Sequence, residues 1–126
     1  VTNGLMHIEE LLKYGIKTII VGGEIKHSTK AIIGVEAIQA LEKFRFDKCF
    51  LGTNGIDTEA GFTTPEINEA MLKKKVIELS EEKYILADSE KFDKISNVKF
   101  SELKECKIIT TKKAIKENNR YKKYFY

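Results

Sequence analysis

A chain of 126 residues can bury one core of ordinary domain size and not two. Lys plus Arg total 22 against 19 Asp plus Glu, and 33% charged with 42% hydrophobic residues argues against a disordered tail or a basic nucleic-acid arm. No run reaches the roughly 18 to 20 apolar residues of a membrane-spanning helix, and Val1-Thr2-Asn3-Gly4 carries no basic-then-apolar export signal, so a cytoplasmic protein with no membrane partner is expected.

Val1-Thr2-Asn3 reads as the tail of a strand running straight into a helix, the pattern of a piece truncated at its N-terminus. Leu5, Ile8, Leu11 and Leu12 recur at helical spacing between Asn3, a good N-cap, and Gly15, a good terminator. Lys17 to Val21 is a β-branched run stopped by Gly22-Gly23, the pattern of a strand buried on both faces. Val35, Ile38 and Leu41 predict a second helix. Lys48 to Leu51 predicts a strand stopped by Gly52, followed by a loop carrying Gly55, Asp57 and Gly61.

Thr64 as cap with Pro65 at the first helical position predicts a third helix over about 65–81. Tyr84 to Ala87 then forms a strand, Val98 to Phe100 a small extra one, Ile108-Ile109 the last, and Lys112 to Lys116 a short helix. Strand ends near 21, 51, 87 and 110, with helices between the first three, give an α/β fold with a mostly parallel sheet flanked by helices. The basic, aromatic end, Arg120 to Tyr126, suits either strand stacking of nucleic acid or, more commonly, a docked terminus. Cys49 and Cys106 sit in apolar runs without CxxC spacing and read as inert core thiols.

In open α/β sheets ligands bind at the carboxyl ends of the strands. The unusual residues fall there: Gly22-Gly23, then Gly52-Thr53-Asn54-Gly55-Ile56-Asp57, then Asp88-Ser89-Glu90-Lys91, with Thr63-Thr64 beside them. Glycines allow close backbone approach and free N–H groups favour an anion, so a phosphate or carboxylate guest is implied, with Lys91 as its counter-charge. Taken singly, Gly-Gly is turn chemistry, Asp57 caps a turn and Lys91 is solvated surface; the argument rests on their convergence. His7 and His27 have no partner at zinc spacing, so no metal is expected. There is no Walker loop, GxGxxG or Ser elbow, so no cofactor is called for.

Val1-Thr2-Asn3, Gly22-Gly23-Glu24, Phe46-Asp47-Lys48, Phe50-Leu51-Gly52, Asn54-Gly55-Ile56-Asp57, Gly61-Phe62-Thr63-Thr64-Pro65 and Leu86 to Phe92 together resemble the C-terminal effector-sensing domain of DeoR-type bacterial transcriptional repressors. The matches run from Val1 to about Thr111. The resemblance implies a fold similar to ribose-5-phosphate isomerase and glucosamine-6-phosphate deaminase, and residues 1–126 as most of one sensor domain. It also implies an N-terminal winged helix-turn-helix through which alone operator DNA is bound, and a Gly/Ser/Thr-rich phosphate loop upstream of Val1. The effector would be a small phosphorylated sugar, the protein a homo-oligomer, and the site Asn3, Gly22, Gly23, Asn54, Gly55, Asp57, Thr64 and Lys91. Asn3 would cap the first helix and face the crevice, Asn54, Gly55 and Asp57 would meet sugar hydroxyls, and Lys91 the anionic group. Position 54 is often Asp in the family and is Asn here.

A sugar-phosphate isomerase or deaminase of the same fold is the alternative. Moving a proton between adjacent sugar carbons needs a positioned base. Of the acids such isomerases place after the Gly-rich strand end, only Asp57 is present, and Lys73 to Lys75 align with the helix base, with Glu66 and Glu69 earlier on the helix as substitutes.

Overall fold

The computed structural model describes residues 1–126, which divide into two units, Val1–Phe44 and Arg45–Tyr126. In the first, a 3-10 turn at Leu5–His7 leads into helix α1 (Ile8–Lys13), which ends where Gly15 takes a φ of 66°. An antiparallel hairpin, β1 (Glu24–Lys26) and β2 (Ala31–Ile33), precedes α2 (Val35–Leu41). Ala37 and Leu41, one turn apart, are the buried residues of α2.

Two expectations fail in this unit. The run 17–21 forms only an isolated parallel bridge, Thr2 to Ile20, because one residue of partner backbone lies beside it; Ile19 and Ile20 remain exposed. Asn3 does not cap the helix. Gly4 occupies the cap position without a side-chain bond, and the Asn3 amide instead donates to Ile32 O at 3.0 Å while Ile32 N–H donates to Asn3 O at 2.7 Å. A side chain drawn across to that hairpin is not available to the helix N–H groups.

The second unit carries the parallel sheet. Strands β3 (Phe46–Gly52), β6 (Ser80–Leu86) and β8 (Lys107–Ile109) lie in the order β3-β6-β8, with Phe50 opposite Tyr84 and Tyr84 opposite Lys107. Helix α3 (Ile67–Leu79) packs on β3 and β6. Segment 52–64, expected as a loop, is a hairpin of β4 (Gly55–Asp57) and β5 (Gly61–Thr64), extended by β7 (Val98–Ser101) into a three-stranded antiparallel sheet. That pairing explains why α3 starts at Ile67 and not at Pro65: Thr63 and Thr64 are spent in β5, and a residue before proline is biased to extended backbone. The chain is thus an α/β fold with a parallel sheet flanked by helices, and no helix is long and apolar enough to cross a membrane.

The core of this unit joins both sheets. Ile85 and Ile108 from the parallel sheet meet Ile56, Phe62 and Phe100 from the antiparallel one, and full burial of each such side chain contributes about 1.5 to 3 kcal/mol. The C-terminus is docked on it. After α4 (Lys112–Glu117) a 3-10 segment buries Tyr121, whose hydroxyl donates to Asp93 Oδ1 at 2.6 Å, with Arg120 paired to the same carboxylate. Tyr126 N–H donates to Ile108 O at 2.9 Å, so the chain end lies along β8. A fully buried Tyr121 offers no face to a base. Cys49 and Cys106 are buried, and burial pushes the Cys106 thiol up to about 11, away from thiolate chemistry.

Gly55 is packed tightly between the backbone at Lys94 and its β5 partner Thr63. A Cβ there would meet Lys94 O at 2.4 Å and Thr63 Oγ1 at 2.5 Å, whereas one at Gly52 would meet nothing within 4 Å. Gly55→Ala is therefore expected to destabilise the protein by about 1 to 3 kcal/mol, and Gly52→Ala by much less. Denaturant unfolding of the two variants checks this; equal midpoints would show that the backbone around Gly55 yields freely.

Candidate functional site

The carboxyl ends of β3 and β6 are each followed by a short polar segment. Where the chain leaves β3, Thr53 is buried and its hydroxyl is shared between Gly55 O at 2.9 Å and Thr63 O at 3.0 Å. Asn54 N–H also donates to Thr63 O, at 3.0 Å. The Thr63 hydroxyl accepts from Ser96 N–H at 2.8 Å. Thr64, fully buried, donates to Asn54 Oδ1 at 3.0 Å and lies 3.4 Å from Glu69 Oε2 on the first turn of α3. One turn later Lys73 Nζ donates to Gly52 O at 2.8 Å, its ammonium 5.1 Å from the centre of the Phe100 ring. Asn54 itself is exposed, held by buried neighbours.

The turn after β6 returns to the same place. Asp88 caps a 3-10 turn at Ser89–Lys91 by accepting from Glu90 N–H at 3.0 Å. Phe92 then bridges in parallel to Ile56, and Asp93 N–H donates to Ile56 O at 2.8 Å. Lys91, the last residue of the 3-10 turn, immediately precedes that bridge.

The second unit brings together three of the residues selected from sequence, Asn54, Gly55 and Thr64, and places Lys91 in the turn just before the Ile56–Phe92 bridge. Asp57 stands apart. It lies three residues along β4 from Asn54, about 10 Å at strand spacing, at the far end of the hairpin. There its Oδ1 accepts from Glu59 N–H at 2.9 Å and Ala60 N–H at 2.8 Å. Those backbone bonds, Ala60's first, hold its carboxyl below the ordinary value of 3.8, with Arg120's charge adding to the effect. Asn3, Gly22 and Gly23 belong to the first unit. Gly23, with a φ of 147°, is required by packing, since a Cβ would meet Ile33 O at 2.6 Å, while Gly22 has open space around it.

Two residues weighed from sequence only for the isomerase alternative also lie here. Glu69 and Lys73 are on α3 at a spacing of four, one helical face, and their bonds with Thr64 and Gly52 O mark them as part of this end of the sheet. The i, i+4 spacing was visible, but only the β5 strand ending beside the helix shows which face turns toward Asn54. The Thr110 hydroxyl, just past β8, is buried with no hydrogen-bond partner, and nothing in the structure explains it. No group of three or more His, Cys, Asp or Glu is arranged to hold a metal ion.

A groove of about 580 Å³ lies at the opposite, amino end of β6 and β8, lined by Lys83, Tyr84, Lys104, Lys107, Lys123 and Tyr126 among others. Two of its carboxylates are engaged. Glu82 accepts from the Tyr84 hydroxyl and pairs with Lys48 at 3.6 Å, and the Glu82 bond pushes the Tyr84 phenol up to about 12. Glu105 accepts from Glu102 N–H and the Ser101 hydroxyl, which hold its carboxyl low. Shape favours this groove, and its lysines leave it positively charged.

Comparison with known proteins decides the family. The model of the DeoR C-terminal sensor domain matches residues 1–113. The chain belongs to that family. It is 50% identical over 111 residues to the HTH-type transcriptional regulator FruR of Bacillus subtilis, covering 88% of this chain and 44% of that protein. To the HTH-type transcriptional regulator GlpR of Haloferax volcanii it is 33% identical over 120 residues, 95% of this chain and 47% of the other. To a lactose phosphotransferase system repressor of Staphylococcus aureus it is 35% identical over 89 residues, 71% and 35% respectively. The sensor chain spans less than half the length of these relatives, all of which are transcriptional regulators.

The Asp57 geometry predicts a pH effect with a definite sign. A carboxyl held low in the folded state stabilises the hairpin above its unfolded value and loses that contribution as pH falls through the lowered folded value. Exchange of the Glu59 and Ala60 amides is expected to accelerate relative to the rest of the hairpin below about pH 4, and Asp57→Asn to remove that acid-dependent part. The same pH dependence in both proteins would contradict the assignment.

Proposed function

We propose that residues 1–126 are the effector-sensing part of a transcriptional repressor. It binds a small phosphorylated sugar, and binding changes the operator affinity of a winged helix-turn-helix elsewhere in the full-length, homo-oligomeric protein. The observation that carries this reading is the polar end of the parallel sheet: an exposed Asn54 fixed by buried threonines, glycine backbone beside it at Gly55, and Lys91 in the turn that leads into the Ile56–Phe92 bridge. Sugar hydroxyls suit the amide, and the phosphate suits the lysine. The names of relatives fit, one being a lactose phosphotransferase system repressor and another an L-fucose operon activator.

Regulation follows from differential affinity. An effector that binds one arrangement of the full-length protein more tightly shifts the population toward it, and by linkage operator affinity changes with it by the same factor. The geometry favours this over proton abstraction. Asp57, the acid retained from the isomerase pattern, is committed to two backbone N–H groups at the hairpin tip.

Titration of the full-length protein with fructose, tagatose, deoxyribose and glycerol phosphates, followed by operator binding at saturation, tests the proposal. At least one phosphate is expected to raise the melting temperature and to change operator affinity. Lys91→Ala is expected to weaken that phosphate roughly tenfold and leave the unphosphorylated sugar unchanged. No stabilisation by any member at millimolar concentration would overturn the reading.

A further inference from the structure

We infer that the groove at the amino end of β6 and β8 is a second ligand site and that it takes a nucleoside polyphosphate. This site goes beyond the sensor function: the groove and the effector rim lie at opposite ends of the parallel sheet and share no residue.

The groove exists because β6 outruns its neighbour. β6 begins at Ser80, whereas pairing with β8 begins only where Tyr84 stands opposite Lys107, so residues 80–83 have no β8 partner. The 3-10 turn Leu103–Glu105 and the docked chain end, which follows β8 as far as the Tyr126 N–H bond to Ile108 O, border the gap. The volume of about 580 Å³ falls within the range of sites that enclose a molecule of nucleotide size.

Charge fixes the sign of the guest. Lys83 comes from β6, Lys104 from the 3-10 turn, Lys107 from β8 and Lys123 from the docked end. Three carboxylates line the same groove, yet none forms an ion pair with any of these four lysines. Glu82 is paired with Lys48 of β3, and Glu105 is turned back onto its own turn, accepting from Glu102 N–H and the Ser101 hydroxyl at 2.8 Å each. With Lys48 taking up one carboxylate, two positive charges are in excess. Ammonium groups brought to one concave surface from four segments repel one another, and a polyanion lying among them relieves that repulsion. A string of phosphates meets lysines on separate elements at once; a lone carboxylate cannot.

The aromatic wall indicates what carries the phosphates. Tyr126 is 80% exposed, yet its backbone is held by Ile108 O and its ring meets Tyr84 edge-on, with centroids 5.3 Å apart. Tyr84 is itself stacked on Phe50 at 5.2 Å. A ring held in place with most of its surface in solvent offers a planar base a stacking partner that is already ordered. The Tyr84 hydroxyl donates to Glu82, so it brings no negative charge against a phosphate. The base would lie on Tyr126 and the phosphates among Lys83, Lys104 and Lys107.

Calorimetry on the full-length protein with ATP, GTP, adenosine and inorganic tripolyphosphate tests this, repeated with the sugar phosphates of the panel above present at millimolar concentration. ATP or GTP is expected to bind at one per chain, at least tenfold more tightly than adenosine or tripolyphosphate, and to keep its affinity when the sugar phosphates are present. Lys104→Ala and Lys107→Ala, both at exposed positions, are each expected to weaken the nucleotide roughly tenfold and leave sugar-phosphate binding unchanged. Tyr126→Ala is expected to lower nucleotide affinity to that of tripolyphosphate, with melting temperatures of the ligand-free variants recorded to confirm folding.

No binding of ATP or GTP at millimolar concentration overturns the inference. So does nucleotide binding that survives Lys104→Ala and Lys107→Ala but is lost in Lys91→Ala or displaced by a sugar phosphate, since that places it on the effector rim. Tripolyphosphate binding as tightly as the nucleotide overturns the nucleoside assignment, and a single-stranded oligonucleotide binding more tightly than the free nucleotide marks a strand surface instead. Failure of the sensor reading looks different: no sugar phosphate binds, while nucleotide binding still depends on Lys104 and Lys107.

Discussion

Where β3 leaves the parallel sheet, its chain must turn into an antiparallel hairpin inside the core, and every polar group buried by that turn needs a partner. Three threonines meet the requirement. Thr53 serves Gly55 O and Thr63 O, Thr63 receives Ser96 N–H, and Thr64 closes onto Asn54 and α3. An unpaired buried group costs about 1 to 3 kcal/mol, against a total stability of about 5 to 15 kcal/mol for a domain, so the arrangement tolerates little change. Around these threonines stand the exposed Asn54 amide, the Glu69 carboxylate and the Lys73 ammonium bonded to Gly52 O. The sensing chemistry proposed for this chain is a by-product of the same bonds that let the two sheets share a core.

The parallel strands were legible because apolar runs stopped by glycine or polar turns at about 30-residue spacing admit few other readings. The hairpins were not. In 24–33 the turn His27-Ser28-Thr29-Lys30 contains no Gly, Asn or Pro, and Lys30 takes a φ of 52° without the residue type that advertises it. In 55–64 the turn residues Asp57 and Gly61 were visible, but strands of three and four residues are too short for a period to show. Thr64-Pro65 carried a sound helix-start signal that lost to tertiary pairing of Thr64 with Val98 in β7. The run 17–21 has strand composition and almost no partner backbone, and composition cannot supply one.

The site was legible in its residue types and less so in its grouping. Asn54, Gly55 and Thr64 come together because the hairpin register places them so, and the Ile56–Phe92 bridge brings the chain after Lys91 to the same strand. Asp57 has the same appearance in sequence, yet strand spacing puts it at the other end of the hairpin, where it holds the turn. Glu69 and Lys73 were weighed only for the isomerase alternative because a charged helix face gives no hint of what it faces until β5 is seen to end beside it. Family membership, fixed by the match over residues 1–113, places the chain among regulators and leaves the chemistry of recognition to these particular atoms.

The two ends of the parallel sheet offer a direct contest. The carboxyl end has a polar cluster around Asn54 and Thr64, and the amino end has a roomy groove lined by lysines, with its Glu82 and Glu105 engaged. Amide hydrogen exchange on the full-length protein, with and without a saturating sugar phosphate, distinguishes them. Protection concentrated at 52–57, 63–69 and 88–92 is the predicted result. Protection confined to 81–84, 104–107 and 123–126 would contradict the account.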